Sequence, residues 1–201
     1  MLILPGFRIT SVGLHSIKPT ATTYFHCPYT EEAVNHIVER IKIVQDFIGK
    51  PMLIENVSSY LSFKDSEMNE WEFLNTISRE SGCFILFDVN NIYVSARNHN
   101  YDPLEYINGI DADKVMQIHL AGHSDYGTHI IDTHDHNVCE SVWQLYAKTL
   151  KRFGKVSTMI ERDDNIPDLN ELVLELDEAR GIAESILLKS HQSADNTQHC
   201  G

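Results

Sequence analysis

The sequence predicts an α/β protein built on a parallel sheet. Three observations carry this. Short apolar runs alternate with longer segments of helical period, in the order α-β-α-β-α-β-loop-α-β-α. Four of the runs finish on a residue able to bind a metal: Glu55, Asp88, His119 and Glu161. And one stretch, Met116 to His136, holds five histidines (His119, His123, His129, His134, His136) and three aspartates (Asp125, Asp132, Asp135).

Taken in order, Met1 to Pro28 shows no clear period and is expected to be irregular, apart from a short strand at Met1–Leu4. Thr30 is a suitable N-cap for a helix in which Ala33, Ile37, Ile41, Val44 and Ile48 recur at helical spacing before Gly49 ends it. Pro51 to Glu55 reads as a strand and Asn56 to Lys64 as loop. A second helix is expected from Asp65 to Gly82, burying Met68, Trp71, Leu74 and Ile77, with Phe73 at the edge of that face. Cys83 to Val89 is apolar enough to be a strand buried on both faces, and Asn90 to Asn100 reads as a polar loop. Asp102-Pro103 starts a short helix.

Lys114 to Leu120 is the next strand, with Val115, Gln117 and His119 on one side and Met116, Ile118 and Leu120 on the other. The histidine-rich loop follows, broken by Gly122 and Gly127. Val138 to Phe153 is amphipathic through Val142, Leu145, Tyr146, Thr149 and Leu150. Lys155 to Glu161 is a strand, Asp163 to Pro167 a loop and Leu169 to Leu188 a long helix. The expected organisation is an irregular segment over 1–28, one domain over 29–189 and a disordered tail over 190–201.

Composition narrows the function classes. A formal net charge of -13, with no cluster of Lys or Arg, disfavours nucleic acid as a partner. Cys27, Cys83, Cys139 and Cys200 form no C-x-x-C pair, which argues against a cysteine-based zinc site and a disulfide framework. No run is long enough to span a membrane, and the first residues lack the basic region of a signal peptide. A cytoplasmic protein is expected.

The strand ends carry the chemistry. Burying a carboxylate at the end of an apolar strand costs several kcal/mol unless it is paired or bound to metal. Four such ends in succession point to one shared site, because active sites of parallel α/β folds lie at the carboxyl ends of the strands. Alternation places Glu161 on the face of Met159 and Ser157, Asp88 on that of Leu86 and Phe84, and His119 on that of Gln117. Asp132-Thr133-His134 adds a D-x-H triplet whose outer side chains reach one centre, and Asn91 stands three residues after Asp88. Blander roles exist for each: Glu55 paired to an arginine, Asn90 and Asn91 as turn residues, His99 and His123 as cap or loop residues. His36, His191 and His199 read as solvent-facing, and Met52, Met68, Met116 and Met159 as core.

The segments LIENVSSYL, SEMNEWEFL, FDVNNIYVSARNHNYDP, QIHLAGH, IDTHD and MIERDDNIP resemble those of the multinuclear non-haem iron-dependent oxidative enzymes. That family includes the methanobactin-biosynthesis oxidase and sits within the xylose-isomerase-like TIM barrels. The resemblance runs from about Pro28 to about Ile186. It implies a TIM barrel holding two or three iron ions, with dioxygen as co-substrate, that modifies cysteine residues of a precursor peptide, often with a partner protein that captures the peptide's leader. It assigns Glu55, Asp88, Asn91, His119, Asp132, His134 and Glu161 to the metal cluster.

Family members carry about three more βα units before the position of Tyr29, and Met1 to Cys27 does not read as those units. The expectation is therefore a partial barrel of four to five C-terminal βα units, truncated at its N-terminus, with incomplete metal loading and weak or absent activity. Two alternatives stand beside the oxidase: a divalent-metal isomerase or hydrolase of the same superfamily, using zinc or manganese, and a non-catalytic metal-binding remnant.

Overall fold

The computed structural model describes residues 27–198. The strand expected at Met1–Leu4 and nearly all of the irregular segment lie outside them. Four strands, β1 (Leu53–Glu55), β2 (Phe84–Asp88), β3 (Val115–Leu120) and β6 (Ser157–Ile160), form one parallel sheet in the order β1-β2-β3-β6. This is the predicted α/β arrangement, and each strand ends at the predicted acid or histidine or one residue from it.

Helix α1 (Glu31–Ile48) begins where expected, with the Thr30 side chain accepting from the Ala33 N–H at 3.2 Å, and stops at Gly49 in the left-handed region. Helix α2 (Glu70–Ser81) begins five residues later than predicted. Asn69 and Glu72 form a reciprocal capping box. The residues before it are engaged elsewhere: Ser66 Oγ accepts from the Tyr29 N–H, and Glu67 Oε2 accepts from the Glu31 N–H. Phe73 is fully buried rather than marginal, while Trp71 is half-buried.

The expected polar loop after β2 is a helix, α3 (Val89–His99). Asp88 caps it, and Asn90, Asn91, Ile92, Val94, Ser95 and Ala96 are buried on it. Its polar residues face inward, so hydropathy gave no helical stripe. Helix α4 (Pro103–Gly109) and a single 3-10 turn at Ala112–Lys114 lead into β3. The register slips between Ile85 and Leu86, whose partners are Val115 and Gln117. Met116 is the extra residue of that bulge, so Val115 does not share a face with Gln117 and His119 as strict alternation predicts. Met116 and Met159 are 52% and 40% exposed and are not core residues.

The histidine-rich loop holds a small antiparallel pair, β4 (Ser124–Asp125) and β5 (Ile130–Ile131). Helix α5 (Glu140–Phe153) buries the predicted stripe together with Trp143. Helix α6 runs Leu169–Gln198, so the backbone stays helical through most of the stretch expected to be a disordered tail. Among the described residues no helix is long and apolar enough to cross a membrane.

The core lies between the sheet and its helices. Ile54, Ile85, Phe87, Ile118 and Leu120 are each at most 1% exposed, and Phe87 meets Phe153 edge-on at 4.8 Å. Burying a side chain of this size contributes about 1.5–3 kcal/mol. Cross-strand partners point to the same side of a sheet. The pairs Glu55↔Leu86, Asp88↔His119 and His119↔Met159 therefore put all the predicted strand-end ligands on the opposite face.

Candidate metal centre

Glu55, Asp88, His119 and Glu161 converge as their strands predict. One ligand atom from each lies within 4.8 Å of the others, and all four side chains are buried. His119 is central: its Nδ1 is 3.4 Å from Glu55 Oε1 and 3.3 Å from Glu161 Oε2. Beside it stands a second group of His134, Glu161 and Asp163, which shares Glu161 with the first. A carboxylate common to two ligand groups is placed to bridge two ions.

Backbone and side-chain bonds fix each ligand. Asn56 replaces a missing ladder step beyond β1: its Nδ2 donates to the Asp88 carbonyl at 2.9 Å and its Oδ1 accepts from the Asp88 N–H at 2.8 Å. Asp88 Oδ1 accepts from the Asn91 N–H at 2.7 Å, which leaves Oδ2 for the centre. Asn91 donates its Nδ2 to the Asn56 carbonyl, and its Oδ1 is buried without a hydrogen-bond partner.

His134 has φ 51, a left-handed conformation uncommon for a residue other than glycine. It is held there by its N–H donating to the Gly122 carbonyl at 3.1 Å and its carbonyl accepting from the Asp163 N–H at 2.9 Å. Gly122 permits this approach, since a Cβ there would sit 2.1 Å from the His136 carbonyl oxygen. His134 Nε2 lies 2.6 Å from Asp132 Oδ1, without hydrogen-bond geometry.

The electrostatics follow from this crowding. Burial raises the Asp88 carboxyl well above its ordinary range, and the Glu55 and Asp132 carboxylates push it further against the pull of His134. Burial lowers His119, but the Glu161 and Glu55 carboxylates outweigh it and hold the imidazole at about 9. For His134 burial is outweighed by Asp132 and Glu161, giving about 11. Asp88 Oδ2, Asn91 Oδ1 and both ring nitrogens of His119 and His134 are buried without a hydrogen-bond partner. Buried polar atoms left this way cost about 1–3 kcal/mol each. A divalent cation fits the donor set: oxygen and imidazole, without thiolate, suit iron, manganese or zinc.

Of the seven predicted site residues, Glu55, Asp88, His119 and Glu161 form one group and His134 joins Glu161 in the other, while Asp132 lies against His134 and Asn91 bonds Asp88. Reading the sequence missed Asp163, taken as loop although it stands two residues after Glu161, and Asn56, which directly follows Glu55. It also missed the shell around Asp132, whose Oδ1 accepts from Asn90 Nδ2 at 2.8 Å, whose Oδ2 accepts from Ser58 Oγ at 3.2 Å and whose N–H donates to Tyr60 Oη at 2.9 Å. The remaining histidines of the stretch belong to neither group. His129 stacks on Tyr126, His136 pairs with Asp135 and His123 bonds Asn90.

Residues 18–184 match the family described as RiPP precursor modification enzyme MbnB/TglH/ChrH, and the chain belongs to it. The chain is 52% identical over 167 residues to a UPF0276 protein of Anaeromyxobacter sp. (strain Fw109-5), covering 83% of this chain and 59% of that one. It is 51% identical over 178 residues to a UPF0276 protein of Rhizorhabdus wittichii, covering 89% and 61%. A UPF0276 protein of Caulobacter vibrioides is 51% identical over 153 residues, covering 76% and 55%. The chain therefore spans about three-fifths of the length of the curated relatives it matches.

Proposed function

We propose that this chain carries the metal-binding part of an iron- and dioxygen-dependent enzyme that oxidatively modifies cysteine residues of a precursor peptide, working in the cytoplasm with a leader-binding partner protein. The observation that carries the reading is the buried convergence of Glu55, Asp88, His119 and Glu161, with the Asp132–His134 pair and Asn91 alongside. In this reading the four parallel strands are four units of a TIM barrel, with the cluster at its carboxyl-terminal mouth.

Iron bound there supplies a thiolate-binding site and the electrons that dioxygen requires. The chain's own residues do the rest. Glu161 and Glu55 flank His119 and hold the two ligand groups at a fixed spacing. Asn56 locks Asp88 and Asn91 to the end of β1. The capping of α3 by Asp88 points one carboxylate oxygen at the centre and spends the other on the helix. Asp132, tied down by Ser58, Tyr60 and Asn90, orients the imidazole of His134.

The test is to purify the chain without oxygen, determine its metals by elemental analysis and follow oxygen uptake with a cysteine-containing peptide. Two or more irons per chain with thiol-dependent oxygen uptake would support the oxidase and defeat the non-catalytic remnant. Stoichiometric zinc without oxygen consumption would defeat the oxidase reading.

A further inference from the structure

The hydrogen bonds behind the Asp132–His134 pair continue to a residue that neither ligand group uses. Asp132, when ionised, only accepts hydrogen bonds. The Asn90 carboxamide must therefore turn its Nδ2 toward Asp132 Oδ1, at 2.8 Å, and its Oδ1 toward His123 Nδ1, also at 2.8 Å. A carboxamide oxygen cannot donate, so the His123 proton sits on Nδ1 and Nε2 carries the lone pair. Asn90 is 0% exposed, which removes water as a competitor for its oxygen.

The Tyr93 ring packs against His123, tilted by 34° with centroids 5.1 Å apart. Among the described residues none hydrogen-bonds Nε2. His123 lines an open depression of about 660 Å³ together with Tyr93, Asp135, Cys139 and Arg162. Two of these, Asp135 and Arg162, are chain neighbours of the ligand candidates His134 and Glu161.

We propose that His123 is the substrate-facing base of this centre, with Asn90 as the positioning residue that sets its tautomer. The group it faces is the thiol of the peptide cysteine. The S–H bond breaks, an Nε2–H bond forms, and the thiolate is left to bind metal while the imidazole becomes imidazolium. Burial lowers the His123 pKa and keeps the ring neutral, ready to accept. The inference rests on the thiol-modifying reading above.

The experiment uses the full chain, ¹⁵N-labelled and loaded with zinc, a diamagnetic ion. Long-range ¹⁵N–¹H NMR reads the tautomer of each histidine. The neutral Nδ1–H form is expected for His123, and Asn90→Leu should release it to the Nε2–H form. Titration with N-acetylcysteine amide should shift the His123 Nε2 resonance in the wild type and leave it unmoved in Asn90→Leu. In the iron-loaded enzyme His123→Gln should slow peptide turnover by about 100-fold or more, with metal content unchanged.

An Nε2–H tautomer in the wild type overturns the proposal. So does an Nε2 resonance that ignores the bound thiol, or loss of metal in His123→Gln. A chain that takes up no metal defeats the proposed function instead, and the tautomer, read on the metal-free protein, still decides the role of Asn90.

Discussion

Stripping the metal from this centre should reverse how the protein's stability depends on pH. His119 is 1% exposed and sits between Glu55 and Glu161 at 3.4 and 3.3 Å. Without a cation it takes up a proton to offset those carboxylates, and its pKa rises from 6.5 to about 9. The folded chain thus binds this proton more tightly than the unfolded one. The resulting stabilisation is fully present below pH 6.5 and is lost as pH rises through 9. At 1.36 kcal/mol per pH unit between the two values, it amounts to roughly 3 kcal/mol.

His119→Gln keeps the approximate volume and removes the proton site. Urea unfolding of the chelator-treated chains from pH 6 to pH 10 is the measurement. The stability advantage of the wild type over His119→Gln should shrink by roughly 3 kcal/mol across that range, a movement of about 1–2 M in the relative midpoints at usual slopes. Excess zinc should invert the trend, because metal binds the neutral imidazole and its affinity grows with pH. An advantage of His119 that stays constant or widens with pH in the metal-free chain refutes the reasoning.

Two further outcomes follow from the same geometry. Glu161→Ala removes the carboxylate common to both ligand groups and should abolish stoichiometric metal binding by elemental analysis, whereas His36→Ala, on the exposed side of α1, should retain it. Gly122→Ala forces a Cβ to within 2.1 Å of the His136 carbonyl oxygen, so the backbone must move. A loss of about 1–3 kcal/mol in urea unfolding is expected, with metal affinity falling alongside because the same Gly122 carbonyl holds His134.

Much of the candidate site was legible from the chain because four of its candidate ligands stand at or next to strand ends. An apolar run that stops on Glu55, Asp88, His119 or Glu161 announces both the strand and its chemistry. The D-x-H triplet stood out as a motif, but not for the extended backbone expected of it: His134 turns into the left-handed region at φ 51 and still lies 2.6 Å from Asp132. Asp163 was not, because its place beside His134 depends on a backbone bond between two loops 29 residues apart in sequence. Helix α3 was hidden for a related reason. Asn90, Asn91 and Ser95 are polar yet buried, and hydropathy cannot separate a polar residue facing a site from one facing water.

The sequence by itself determined the α/β class, the parallel strands and the set of ligand types, since these follow from local periodicity and from the cost of burying charge. Only the tertiary structure decided how the ligands divide. It put Glu161 in both groups, tied Asp88 and Asn91 to Asn56, and passed from Asp132 through Asn90 to His123. Those relations are hydrogen bonds and distances between segments far apart in the chain, and no local pattern of residues encodes them.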